Sequence, residues 1–163
     1  MIQFDFLSLK NADSTLPVLF NILHSNMNEI APTGNSYSED EKIWLENVRP
    51  ALNKPQRRIV LIRDDCQIIG YFQYYINQEK FMMEEIQLIH EYQGTGVFSA
   101  FYRWLMPQLP DDITFVEAYS HINNKKSQQI LEHLGLEICK DGTSSNHFHY
   151  KGNYQKLKDK YAK

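Results

Sequence analysis

The sequence predicts an α/β fold of the α+β kind, a mixed, mostly antiparallel central sheet of about six to seven strands flanked by helices. Three observations carry that expectation. Apolar residues alternate at period two in some segments and recur at helical spacing in others, strand-like segments both precede and follow helical ones, and the middle of the chain holds consecutive strands separated only by turn residues. No internal repeat or low-complexity linker interrupts this pattern. A length of 163 residues with 42% hydrophobic content suits one core, so a single domain over residues 1–163 is expected.

Taken in order, Ile2, Phe4 and Phe6 alternate with polar residues and predict an opening strand. Leu16, Leu19, Phe20 and Leu23 then repeat at helical spacing behind the cap candidates Asp13 and Ser14. The stretch APTGNSYS reads as a loop, and Ser38 with Glu41 forms a capping-box pattern before Ile43, Trp44, Val48 and Leu52, with Pro55 past the end of that helix. Ile59–Ile62 and Ile68–Ile76 are apolar runs of strand length around Asp64 and Asp65, which predicts an antiparallel hairpin. A third strand runs from Phe81 to Ile89. After it come a glycine turn and a helix with Val97, Phe98, Phe101, Trp104 and Leu105 on one face, closed by Pro107 and Pro110. Ile113–Tyr119 reads as a strand and Lys125–Leu134 as a helix. Short strands near Leu136–Cys139 and His147–Tyr150 complete the sheet, and the lysine-rich tail KLKDKYAK reads as a solvated final helix.

Composition narrows the function classes. The net charge is −3 with both signs scattered, which leaves no basic stripe to neutralise nucleic-acid phosphates. No run approaches the ~18 apolar residues of a membrane span, and the first twenty residues lack a basic region before an apolar one. Cys66 and Cys139 are too few for a disulfide scaffold or a zinc knuckle, so a reducing, cytoplasmic setting is expected, without nucleic acid or membrane as a partner.

The most informative stretch is EYQGTGVFSAFYRWL at 91–105. A strand that ends in two closely spaced glycines and runs straight into a helix presents unpaired N–H groups at the positive end of the helix dipole, which favours a phosphate. Glycine at 94 and 96 permits a positive φ and spares a ligand lying against the backbone a Cβ. No GxxxxGK[ST] is present, and GTGVFS lacks the third glycine of the dinucleotide fingerprint, so the pattern points to another phosphate ligand.

Gln93-Gly94-Thr95-Gly96-Val97 resembles the Q/R-x-x-G-x-G/A signature of the GNAT superfamily of acyl-CoA N-acyltransferases. A second stretch, from Asn124 and Ser127 through Ile130-Leu131-Glu132 to Leu134-Gly135-Leu136, resembles that family's N-x-x-A/S-x-x-L-L/Y-E-K-L-G-F helix and turn. The two motifs occur in the family's order, about thirty residues apart, and together cover 84–136. The resemblance implies a GNAT-like fold and acetyl-CoA as cosubstrate, with no metal. It implies that the backbone of Gln93, Gly94, Thr95, Gly96, Val97 and Phe98 binds the CoA pyrophosphate. It also implies that Leu88, Ile89 and His90 pair with the pantetheine amides, because an amide-bearing arm lies along a strand edge as a peptide does. Asn124 and Ser127 either reach pantetheine or cap their helix. Three positions depart from the family pattern: Phe98 stands where Gly or Ala is preferred, His90 where proline is common, and Leu131 where many members carry a proton-donating tyrosine.

Attack of an amine on a thioester requires removal of a proton from an ammonium whose pKa is about 10. Glu84 and Glu85 precede the pantetheine segment, where similar proteins often carry an acidic residue facing the substrate, and strand alternation lets only one of them do so. Glu85 is the first candidate for the base and Glu84 the second. His147 and His149 share a strand face but lack a third metal ligand, Tyr71, Tyr74 and Tyr75 read as packing or as the acceptor side, and His121 as a loop residue. The expected activity is transfer of an acetyl group from acetyl-CoA to a primary amine of a small molecule or peptide. The rival is a non-catalytic CoA-binding sensor or interaction module, and a nucleotide-binding protein unrelated to CoA is a third reading. A homodimer is compatible with the sequence.

Overall fold

The computed structural model describes residues 1–140 and 146–162. Seven strands pair in the order β1-β2-β3-β4-β5-β7-β6. They are β1 (Ile2–Phe6), β2 (Arg57–Asp64), β3 (Gln67–Asn77), β4 (Lys80–Leu88), β5 (Phe115–His121), β6 (Glu137–Ile138) and β7 (His147–Asn153), with helices α1 (Ala12–Met27), α2 (Tyr37–Ala51), α3 (Val97–Leu105), α4 (Lys125–His133) and α5 (Tyr154–Tyr161). The chain forms two compact units, one of Met1–Tyr74 with Glu85–Thr95, the other of Tyr75–Glu84 with Gly96–Lys163. The single strand β4 supplies a half to each.

In the first unit β1 pairs antiparallel with β2, Phe6 opposite Val60, and a two-residue turn with Asp65 at φ +52° joins β2 to β3 as the hairpin the sequence predicts. Ala12, Leu16 and Leu19 of α1, Val48 of α2, Ile59 and Leu61 of β2 and Tyr71 of β3 form the core. Helix α2 starts two residues earlier than its sequence suggests. Ser36, not Ser38, is the cap: its Oγ accepts from the Glu39 N–H at 3.2 Å and the Glu39 carboxylate accepts from the Ser36 N–H at 2.9 Å. The longer helix brings Tyr37 onto Phe20 and His24, with ring centroids 5.1 and 4.7 Å apart. The caps expected for α1 also differ, because Asn11 occupies that position without a side-chain bond, while Asp13 and Ser14 lie in the first turn.

In the second unit β4 and β5 run parallel from Lys80↔Phe115 to Met83↔Ala118, and β7 pairs antiparallel with β5 along its whole length. Register places Phe81, Met83, Val116 and Ala118 on one side of this sheet. Helices cover that side: Tyr102 of α3 donates to the Met83 sulfur at 3.6 Å, and Tyr154 of α5 packs edge-on to Phe81. Two expectations change here. Phe98 and Trp104 are only half-buried, and Val97, Phe101, Tyr102 and Leu105 form the inner face of α3. Helix α5 is not merely solvated: Tyr154, Leu157 and Tyr161, at helical spacing, are buried, and Tyr161 stacks on Tyr102 with centroids 5.1 Å apart.

Candidate functional site

The glycine loop has an unusual backbone. After a 3-10 turn at His90–Tyr92, Gln93 is extended, and Gly94 and Gly96 take φ of +76° and +84°. A Cβ at either glycine would meet nothing within 4 Å, so the protein itself demands glycine here for its torsion rather than for space. Thr95 is tied back through its hydroxyl to the Tyr92 carbonyl, and Tyr92 donates its own hydroxyl to Asp64 at 2.7 Å. Gly96 is the N-cap of α3 and provides no side-chain cap, which leaves the first-turn N–H groups from Val97 and Phe98 onward without that partner. They lie at the positive end of the helix dipole.

The segment Leu88–His90 follows directly from β4. The Ile89 N–H donates to the Ile69 carbonyl at 2.8 Å. The Leu88 carbonyl accepts from two side-chain amides, Asn26 Nδ2 at 2.9 Å and Gln93 Nε2 at 3.0 Å, and Asn26 also donates to Gln87 Oε1 at 3.0 Å. His90 is exposed. Opposite this segment, a Cβ on Gly70 would meet the Gln87 carbonyl at 2.4 Å, so β3 and β4 approach too closely for any side chain there. Neither Asn26 nor Gly70 stands out in the sequence, since only the folded unit brings α1 and β3 against residues 87–88.

Asn124 is the N-cap of α4, and its Oδ1 accepts the Ser127 N–H at 3.1 Å, which is the capping role that competed with ligand binding. Leu131 is 2% exposed and belongs to the core.

The adjacent carboxylates part as strand alternation requires. Glu85 lies in the first unit, where it accepts a long 3.4 Å bond from Gln87 Nε2. Burial pushes the hydroxyl of Tyr71 well above the ordinary tyrosine range, and the Glu85 charge adds to that. Glu84 lies in the second unit and lines a hollow of about 210 Å³ together with Tyr75, Met82, Met83 and Tyr119. Glu84 and Tyr119 are the next residues after Met83 and Ala118, the last pair of the β4–β5 ladder. Of the three tyrosines read as packing or acceptor side, Tyr71 and Tyr74 are buried and Tyr75 lines the hollow.

Beside the hollow is a charged group that sequence reasoning missed. The largely buried Glu117 carboxylate lies 3.3 Å from Lys80 Nζ and 3.0 Å from His149 Nε2, the latter without the alignment of a hydrogen bond. The His149 ring stacks on Tyr119 with centroids 4.6 Å apart. His147 meets the ring of His121 at 5.2 Å, and among the described residues no group of three or more His, Cys, Asp or Glu is placed to hold a metal. No described helix is long and apolar enough to cross a membrane.

No protein-family model matches the chain, and no curated protein matches it in sequence. Solved structures do match in fold. An acetyltransferase from Thermus thermophilus superimposes with a TM-score of 0.72 at 18% identity over 94% of this chain and 97% of the other. The PaiA N-acetyltransferase from Thermoplasma acidophilum, solved in complex with coenzyme A, gives 0.72 at 16% identity over 94% and 99%. The spermidine N-acetyltransferase from Vibrio cholerae, in complex with CoA and spermine, gives 0.64 at 14% identity over 96% and 97%. With these matches over nearly the whole chain, and the strand order set out above, the chain has the GNAT acyl-CoA N-acyltransferase fold.

Proposed function

We propose that this protein is an acetyl-CoA-dependent N-acetyltransferase that acts on a primary amine by direct transfer in a ternary complex. The observation that carries the reading is the loop Gln93–Phe98: two left-handed glycines lead into a helix whose first turn lacks a side-chain cap, in the fold of known acetyltransferases. In this reading the loop backbone takes the pyrophosphate of acetyl-CoA. Leu88, Ile89 and His90, with Asn124 and Ser127, hold the pantetheine arm. The Asn26 and Gln93 amides fix the Leu88 carbonyl and so set the path of that segment.

The chemistry needs one proton acceptor. The bound ammonium gives one proton to a carboxylate, directly or through water, the resulting amine nitrogen attacks the thioester carbonyl carbon, the C–S bond breaks, and the departing CoA thiolate takes up the second N–H proton. Glu84 and Glu85 are the candidates, and the hollow beside Glu84 favours Glu84. Because Leu131 cannot donate a proton, the thiolate leaves without help from that position, as a thiol of ordinary pKa allows. The buried Leu131 is also what favours the second reading, a CoA-binding sensor without catalysis.

Thermal unfolding with acetyl-CoA, CoA, ATP and NAD in parallel tests the proposal. A ligand at 100 times its Kd stabilises by about 2.7 kcal/mol, which at this length is a rise of roughly 5–10 °C. A rise with the two CoA ligands alone, followed by turnover of an amine, is the expected outcome. A rise with CoA but no turnover of any amine selects the sensor, and a rise with ATP or NAD alone removes both readings. Glu84→Gln is expected to lower kcat with little change in acetyl-CoA affinity, and the same result from Glu85→Gln instead would move the base to Glu85.

A further inference from the structure

We infer that the hollow bounded by Tyr75, Met82, Met83, Glu84 and Tyr119 is a binding site for a primary alkylammonium group, and that its occupant is the acceptor of the acetyl transfer. The second clause rests on the function proposed above; the first stands on the hollow alone. Its walls include two phenol rings and the thioether of Met82, which shares the Glu84 side of β4, and its lining carboxylate is Glu84. That set matches a methylene chain ending in a cation. Ring faces attract a cation through their quadrupole, methionine adapts to an irregular alkyl chain, and Glu84 supplies the counter-charge.

The surroundings favour the same ligand. Lys80 is the nearby cation, with Nζ 5.8 Å from the centre of the Tyr75 ring, and its charge is engaged by Glu117 at 3.3 Å. His149 covers one face of Tyr119, so it is the other side of that ring that is left to the hollow. Tyr119 is half exposed, at 51%, although it is a large aromatic on a central strand, as suits a wall that a ligand completes. A carboxylate-bearing acceptor such as an α-amino acid would have to bring its own negative charge against Glu84. The matching ligand is a flexible alkyl chain with a free amine and no adjacent acid. A free alkylamine or diamine and the side chain of a lysine residue share that chemistry.

Binding is read without turnover by labelling the methionine methyl groups with 13C and following Met82 by NMR, with Met83, whose sulfur faces Tyr102, as the internal reference. The unliganded protein is titrated with butylamine, 1,4-diaminobutane, a lysine amide blocked at its α-amine, and the neutral control butanol. The expected result is a saturable shift of Met82 with the amines, with butanol at least tenfold weaker. Glu84→Gln should weaken the amines roughly tenfold and leave butanol unchanged. Tyr119→Leu should weaken them roughly two- to fivefold, with the methionine spectrum otherwise retained as evidence of folding. Blocked lysine equal to butylamine assigns the site to lysyl chains, and binding of the free amines alone assigns it to small amines. Butanol binding as tightly as butylamine, or a silent Met82 signal, overturns the inference. A silent Met82 together with acetyl-CoA stabilisation and turnover would remove the ammonium site and leave acetyl transfer. Amine binding without any stabilisation by acetyl-CoA would do the reverse.

Discussion

Replacing Glu117 by Gln tests whether the charged group on the side of β5 opposite Val116 and Ala118 contributes to folding. The carboxylate is about one-tenth exposed and lies 3.3 Å from the Lys80 ammonium, whose side chain is 31% exposed. Removing one partner of a fully buried pair costs about 3–5 kcal/mol because the other charge is left stranded. Here Lys80 can turn its amine toward water, so the expected cost is about half of that, roughly 1.5–2.5 kcal/mol. At this length the loss corresponds to a fall in Tm of about 3–10 °C. The double variant Glu117→Gln/Lys80→Met should lose less than the sum of the singles by at least ~0.5 kcal/mol. The loss should persist at 1 M NaCl, since partly buried charges are poorly screened.

The pH dependence gives a second readout of the same pair. Burial works against the charge of Lys80, but Tyr75 and Glu117 outweigh it and hold the pKa above the ordinary 10.5. With the folded value raised, the contribution is complete below 10.5 and is lost as pH rises through the higher folded value. Urea unfolding of the four proteins at pH 7 and near pH 11, in low and high salt, measures all three effects. Additive single losses, or a loss that disappears in salt, would refute a coupled pair.

Three further outcomes follow from single observations. Gly70→Ala places a methyl 2.4 Å from the Gln87 carbonyl, so β3 and β4 must separate, at about 1–3 kcal/mol, with a Tm fall of at least ~2 °C in thermal unfolding. Ser36→Ala should cost about 1 kcal/mol and Ser38→Ala almost nothing in urea unfolding, and the reverse order would return the cap of α2 to Ser38. Burial, and then the neighbouring His121, holds His147 below its ordinary 6.5, so the unfolded chain takes up that proton first. Stability is therefore expected to be complete above pH 6.5 and to decline as pH falls through the folded value, and His121→Gln should flatten that decline in a Tm series from pH 8 to 5.

Most of the architecture was legible because it is written in local periodicity. Strands β1 to β4 and helix α3 follow from alternation and helical spacing within windows of about ten residues. The errors arose where two local answers were equally good or where packing decided. Ser36-x-x-Glu39 and Ser38-x-x-Glu41 are the same motif, and only the contact of Tyr37 with Phe20 and His24 separates them. On α5 the lysines suggest a solvated helix, whereas Tyr154, Leu157 and Tyr161, at helical spacing, are buried. For the site, the glycine loop announced itself, whereas the choice between Glu84 and Glu85 depends on which side of β4 a helix covers, and one strand in isolation does not contain that. Lys80, Glu117 and His149 come from three different strands, and nothing local in the sequence ties them together.

The two glycines of the loop bear on how freely this segment can vary. What reserves positions 94 and 96 is a torsion angle, since the space a side chain would occupy is open. The tolerance of each position should therefore rank by left-handed preference rather than by bulk. Asparagine, which adopts that region more readily than other residues with a side chain, is expected to be milder than the smaller alanine, and valine the harshest. Size and severity are decoupled here, so an asparagine at 96 would be a graft the fold accepts, with its amide projecting to where the helix opens.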